Sequence, residues 1–325
     1  MTELRHKVKN ALDEARTLIL CAQVLLGFEF RSFFEPGFET LPQPSRWIQV
    51  AGLACMLIAL ILMFTPAAFH RIVEQGRDTE RLHRVVTSIM CWSLLPFALG
   101  FAIDCFIVGE KSIDVKAGIL AGAATMLAAS FFWYGLQLLV RRWNGRENKM
   151  KTNHEDEKIL NTKIEQVLTE IRMILPGVQA LLGFQMGTVM MRSFEQLPPS
   201  SREIHFAALL LIAMSAIFLM TPAAYHRIVE KGEDTERFHT FASRMLIAAM
   251  VPLPLGVAGE VFVVLRKFTE SVEWSLLAAS ASLVLAWVLW FGVMMLRRAK
   301  DQRMGARDSV RAPAWSASNR RTNRG

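Results

Sequence analysis

Apolar side chains fill eight blocks of this chain, at 17–34, 48–69, 85–108 and 117–140, and again at 173–191, 204–225, 241–265 and 274–296. Each is close to the roughly 20 helical residues that cross a bilayer core of about 30 Å. Helices are expected rather than strands, because an open sheet leaves its backbone unsatisfied in lipid. Ahead of each set of four lies a polar segment with one apolar face: Leu4, Val8, Ala11, Leu12 and Ala15 in one, Leu160, Ile164, Val167, Leu168 and Ile171 in the other. That i, i+4, i+7, i+8 spacing predicts a short amphipathic helix on the membrane surface before each first span.

The two sets are copies. Thr65 to His83 recurs 156 residues later as Thr221 to His239, with 15 of 19 positions identical. The same offset pairs Gln23, Gly27 and Phe28 with Gln179, Gly183 and Phe184, and Pro96 and Gly100 with Pro252 and Gly256. The predicted fold is an all-α polytopic membrane protein of eight transmembrane helices. It forms two parallel four-helix repeats about a pseudo-two-fold axis along the membrane normal. The expected domains are a first repeat (1–142), a polar linker (143–157), a second repeat (158–298) and a basic disordered tail (299–325). Each repeat is an amphipathic helix followed by four spans.

Charge sets the orientation. Of the 37 lysines and arginines, 29 lie in the segments that share one side with both termini, and seven lie in the four loops on the other side. By the positive-inside rule both termini are cytoplasmic, as in a multi-pass protein of a bacterial inner membrane. The net charge of +8 is then an orientation signal that needs no nucleic-acid partner, although the tail can touch anionic lipid headgroups. The N-terminal segment is too charged for a cleaved secretory signal. Cys21, Cys55, Cys91 and Cys105 lie in spans without cysteine equivalents, so no disulfide, metal site or other cofactor is implied.

Much of the repeated signature reads as a tight turn between the second and third spans. Gly76 and Gly232 suit a positive-φ helix end, Asp78 and Asp234 are expected to cap the next helix, and Glu80 and Glu236 open it. His70, Arg71, Glu74, Arg81 and His83, with His226, Arg227, Glu230, Arg237 and His239, form either an ion-paired structural corner or a proton-sensitive gate. Glu80 with His83, and Glu236 with His239, have the i, i+3 spacing of bundle metal ligands, a remote alternative because the other inward carboxylates are missing.

Within the spans, ionisable groups are functional candidates. Glu29, Arg31 and Asp104 occur in the first repeat, and Glu260 keeps the Asp104 acid in the second, where Gln185 and Gly187 replace Glu29 and Arg31. Arg31 is expected to pair with Asp104 or Glu29. Gln23 and Gln179, each four residues before a glycine, are expected to face one another across the axis. Gly118 and Gly122 read as a packing patch.

Two stretches of the second repeat, Arg172 to Phe184 (RMILPGVQALLGF) and Pro222 to Arg227 (PAAYHR), resemble an uncharacterised family of small four-helix bacterial membrane proteins, some of which carry an automatic sodium:proton antiporter label. The resemblance implies that this chain is a fused pair of such units. The first copy departs where Leu20 and Cys21 replace Pro176 and Gly177. The functional expectation is a small monovalent cation or proton transporter with its polar residues at the repeat interface. The alternative is a non-transporting scaffold or regulator acting through cytoplasmic loops. Nothing in the motifs supports an enzyme.

Overall fold

The computed structural model describes residues 2–75, 77–143, 154–230, 233–293 and 295–296. Among them every regular element is helical. The first repeat comprises α1 (Thr2–Ser32), the short α2 (Pro36–Glu39), α3 (Gln43–Ile72), α4 (Glu80–Ser112) and α5 (Val115–Ser130). The last runs through a π-helical turn (Phe131–Gly135) into α6 (Leu136–Trp143). The second repeat follows as α7 (His154–Val189), α8 (Arg192–Glu195), α9 (Pro199–Ile228), α10 (Glu236–Ala249), α11 (Pro252–Thr269) and α12 (Val272–Trp287), which also passes into a π turn (Val288–Gly292). Seven helical stretches among the described residues are long and apolar enough to cross a membrane, which makes this a multi-pass membrane protein. The helix α1 is not among the seven, because Arg16, Glu29 and Arg31 interrupt its apolar run.

The separate amphipathic helices expected before each first span are not present. Both segments continue without a break into the spans that follow, so α1 and α7 are single helices of 31 and 36 residues. Their apolar faces meet each other instead of a membrane surface: Val8, Ala11 and Ala15 are buried in one core with Ile164, Val167, Leu168 and Ile171. Residues 154–157, assigned to the linker, already belong to α7. The expected disordered tail, 299–325, lies outside the described residues.

The turn between second and third spans is built differently from its sequence reading. The N-caps are Thr79 and Thr235, whose hydroxyls accept from the backbone N–H of Leu82 and Phe238. This frees Asp78 and Asp234 to reach the histidines behind them, at 3.9 Å for His70 and 3.5 Å for His226. Gly76 and Gly232 lie outside the described residues, and the positive φ found in the first turn belongs to Gln75 at 53°.

Prolines distinguish the third spans. Pro96 is accommodated inside a continuous α4, whereas Pro252 and Pro254 together begin a new helix after α10 has ended at Ala249. The carbonyl of Ala249 is satisfied by the Ser215 hydroxyl at 2.8 Å, as apolar surroundings require.

In the first repeat the third and fourth spans pack through glycines, whereas Gly256 and Gly259 of the second repeat face α9. A Cβ on Gly118 would stand 2.6 Å from the Phe106 carbonyl oxygen, and one on Gly122 3.0 Å from that of Ala102. Gly118→Val is therefore expected to destabilise the fold by about 1–3 kcal/mol through overpacking. Thermal unfolding in detergent measures it, with Gly135→Ala, which meets nothing closer than 3.5 Å, as the control.

Contacts between the repeats run one way. The helix α9 lies at the centre of the molecule and is buried on almost every side from Ser201 to Arg227. It packs on α7, α10 and α11 of its own repeat and on α4, α5, the first π turn and α6 of the other. Trp133 in that π turn is fully buried and donates to the Ile217 carbonyl at 3.1 Å, and Phe132 meets Phe218 edge to face. A two-fold axis would produce each contact twice. Instead the equivalent of Ile217, Ile61, is 66% exposed on α3, and Leu289, the equivalent of Trp133, is 49% exposed. The pseudo-two-fold arrangement is replaced by a head-to-tail one.

Candidate functional site

Polar chemistry collects at both ends of the inter-repeat seam. One end carries the turns after α3 and α9 and most of the lysine and arginine; it is called the basic end here, and the opposite one the far end.

At the far end of the first repeat, the last turn of α1 brings Glu29 against Asp104 of α4, both buried, within mutual hydrogen-bonding reach. Two carboxylates can make that bond only when one of them holds a proton. Gly52 makes the approach possible. A Cβ there would be 2.8 Å from Ile103 and 3.6 Å from Glu29 Oε1. Beside the acids, Gln49 donates to Ser32 Oγ at 2.6 Å, and Ser32 donates to the Glu29 carbonyl at 2.7 Å. Apart from the proton the two acids share, both Glu29 oxygens, Asp104 Oδ2 and Gln49 Oε1 take no hydrogen bond from another group among the described residues. They surround a cavity of about 20 Å³ closed by Met186 and Met190 of the second repeat, room for about one water.

The second repeat builds the same place with other chemistry. Gln185 stands where Glu29 does and donates to Glu260 at 2.8 Å. His205, in the position of Gln49, is fully buried and sets Nδ1 3.0 Å from Glu260. Its Nε2 lies 3.2 Å from the Gln185 carbonyl, which only an N–H can satisfy. The cluster is therefore neutral as a whole, either as imidazolium with carboxylate or as imidazole with carboxylic acid. Both histidine nitrogens are thus paired, while Gln185 Oε1 has no donor among the described residues.

At the basic end, Glu14 of α1 crosses to the second repeat. It lies 2.7 Å from His226 Nδ1 and 3.1 Å from Arg227 Nη2, all three side chains almost fully buried. His226 stacks on Phe238, and Tyr225 on Phe241. Burial by itself would push the Glu14 carboxyl up; the charges of His226 and Arg227 hold it below its ordinary value of 4.5. A second cavity of about 20 Å³ lies beside Glu14, lined otherwise by apolar groups and Arg172. Burial pushes the nearby Glu230 carboxyl up.

The predicted site residues thus divide. Glu29 and Asp104 come together. Arg31 turns away from both and pairs with Glu35 at 3.0 Å on the exposed side. Gln179 is buried and turns its amide to Met220 at 3.7 Å, while Gln23 is exposed on α1, so the two glutamines do not meet across an axis. Of the first corner, Arg71 and Arg81 are exposed, Arg81 lying over the Phe69 ring, and His83 and Glu74 are half-buried; Arg237 and Glu236 are exposed and His239 half-buried in the second. Among the described residues no three His, Cys, Asp or Glu are arranged to hold a metal ion, and neither Glu80 with His83 nor Glu236 with His239 belongs to such a group.

Sequence reasoning passed over Gln49, His205 and Glu14. The first two occupy equivalent positions and are polar in both copies, which marks a site within a span. Glu14 recurs as Glu170. The doubling was readable; the choice of partner was not.

No curated protein and no solved structure matches the chain. Two stretches, 2–137 and 153–294, each match one family, and they bracket the two structural repeats. The chain belongs to the family of unknown function DUF6328, in two tandem copies.

Proposed function

We propose that this protein is a small monovalent cation or proton transporter whose working site is the Glu29–Asp104 pair of the first repeat. The observation that carries the reading is a buried acid pair with unpartnered oxygens around a cavity the size of one water. Such a site holds one proton between two carboxylates, and releases it when a cation or an opened water path compensates the second charge. In the second repeat, glutamine and histidine replace the acid pair and leave a single acid, Glu260, held by both, so that site serves structure. The pathway accordingly runs beside α1 within one repeat and not along an axis between Gln23 and Gln179.

The membrane frame of this reading has α1 as an eighth span, the basic end and both termini on the cytoplasmic side, and the far-end acids near the outer surface of a bacterial inner membrane. The tail after residue 298 is then placed to meet anionic headgroups. Between the two cavities the seam is closed by apolar groups including Leu18, Leu25, Leu175 and Leu182. That closure favours the second reading, a scaffold or regulator that transports nothing.

Flux separates them. In liposomes carrying a pH dye, with sodium, potassium or lithium outside, the native chain is expected to move protons. Glu29→Gln, which copies the Gln185 already tolerated in the second repeat, is expected to fold normally and lower the flux at least tenfold. Native flux at background, or full flux in folded Glu29→Gln, would remove the acid-pair site and leave the scaffold reading.

A further inference from the structure

A head-to-tail interface consumes one kind of face from each unit and leaves the other kind open at either end of the pair. Here both open faces retain the polar chemistry of the closed ones, although Leu289 stands where Trp133 fills the closed seam. At the far end of the closed contact, Lys111 reaches Glu195 at 2.8 Å, which holds that carboxyl below its ordinary range. The same positions in the opposite sense, Lys267 and Glu39, are a cation and an acid, both exposed. In mid-membrane, Phe28 covers Gly183 so closely that a Cβ there would stand 1.9 Å from its ring. The opposite pair is Phe184, which touches Phe28 edge to face with ring centres 4.7 Å apart but stays 60% exposed, and Gly27, whose Cβ would meet nothing within 4 Å. At the basic end, Glu14 is buried on His226 and Arg227, whereas Glu170 and Arg71 are exposed and His70 is half-buried.

Gln23 belongs to the same surface. It stands one turn from Gly27 and is exposed at a depth where a bare amide facing lipid is unfavourable, while its equivalent Gln179 is enclosed. A face that ends in an acid, carries an aromatic ring and finishes in a lysine is thus matched by one that offers a histidine with arginine, a glycine and an acid, in the same order from the basic end. Those are the ends of this chain's own repeats.

We propose that the chain associates with further copies of itself, the second repeat of one molecule docking on the first repeat of the next through the same contacts that join its two repeats internally. In the assembly Glu170 meets His70 and Arg71 of the next chain, Phe184 covers its Gly27, and Lys267 reaches its Glu39. Two chains present four repeats, the smallest ring such an interface can close, with α1 and α7 of each molecule toward the centre. The result encloses Gln23. It also sets the exposed outer surface of α3, which alone among the second spans lacks a covering repeat, against the open face of α12.

Cysteine cross-linking in membranes tests this with an internal control. In a chain whose four native cysteines are replaced by alanine, Phe28→Cys with Gly183→Cys is expected to close within one chain on oxidation, since the Cβ of residue 183 falls 2.6 Å from Phe28 Cγ. Gly27→Cys with Phe184→Cys is expected to link different chains, giving reducible dimers and larger species, and tagged and untagged copies made together should appear in one band. Closure of the 27/184 pair within a single chain would mean two-fold packing and overturn the proposal. Monomer only, a band containing a different protein, or failure of the 28/183 control would do the same. The unaltered chain released gently from membranes should have the mass of two or more chains, and a strictly monomeric mass counts against the assembly independently of any cysteine.

Discussion

Replacing Glu14 by alanine is expected to destabilise the single chain by about 3–5 kcal/mol at neutral pH, because it leaves Arg227 and His226 buried without their counter-charge. The Glu14 side chain contacts both at 2.7 and 3.1 Å with the side chains only 2–3% exposed. Arg227 Nε and Nη1 already lack hydrogen-bond acceptors among the described residues. The residue at the same place in the other repeat, Glu170, is exposed; in chains dispersed to monomers, Glu170→Ala should change stability by less than about 0.5 kcal/mol. Two substitutions at equivalent positions of the repeats then differ roughly tenfold in cost, which thermal unfolding in detergent resolves. The native chain should also lose stability in acid. With the folded carboxyl held below 4.5, Glu14 contributes stability above that value, and the contribution disappears as pH falls through the lower, folded one. Glu14→Gln should flatten that part of the acid limb, and an unchanged limb would place the clamp's energy elsewhere.

The difference between Glu14 and Glu170 marks where sequence reading stops. Apolar blocks gave the helices, since a membrane span depends on local composition and length. The offset of 156 residues gave the repeats, since an internal copy is visible without any structure. Capping was misassigned because Asp78 and Thr79 are both competent N-caps one residue apart, and the backbone phase of α4 decides between them. The amphipathic starts of α1 and α7 were misread because an apolar stripe looks the same facing lipid or another helix. Docking is the step that identical residues cannot reveal. Gln23 and Gln179 are the same residue in the same local sequence, yet one is exposed and the other enclosed, because a head-to-tail contact gives two equal units unequal surroundings. A buried acid pair could be suspected from Glu29 and Asp104; its partners Gln49 and His205 needed the helices brought together.

That inequality gives the second large effect. Trp133 is the largest fully buried side chain, held by Ile217 through its indole N–H at 3.1 Å and packed 6.0 Å from Phe97 between ring centres. The π-helical turn at Phe131–Gly135 places it: an extra residue in the turn widens the helix and shifts the aromatic rings around its axis. Phe132 thereby faces Phe218 across the seam, and Trp133 is aimed between its own α4 and the partner repeat's α9. Trp133→Ala removes the ring from a fully buried site and leaves the Ile217 carbonyl with the Thr221 hydroxyl at 2.7 Å; the cavity alone is expected to cost about 3–5 kcal/mol. The second repeat has its π turn at Val288–Gly292, with Leu289 half exposed where Trp133 is buried. For dispersed single chains, Leu289→Ala should therefore cost less than about 1 kcal/mol, since a side chain already facing detergent or lipid leaves no cavity behind. Trp133→Phe separates the two contributions of the tryptophan, keeping most of the volume while deleting the donor. Recovery of about half the lost stability would assign the remainder to the hydrogen bond with Ile217. Equal, small losses for Trp133→Ala and Leu289→Ala would mean that α9 is not held by the first repeat at all, and the one-way seam between the repeats would have to be abandoned.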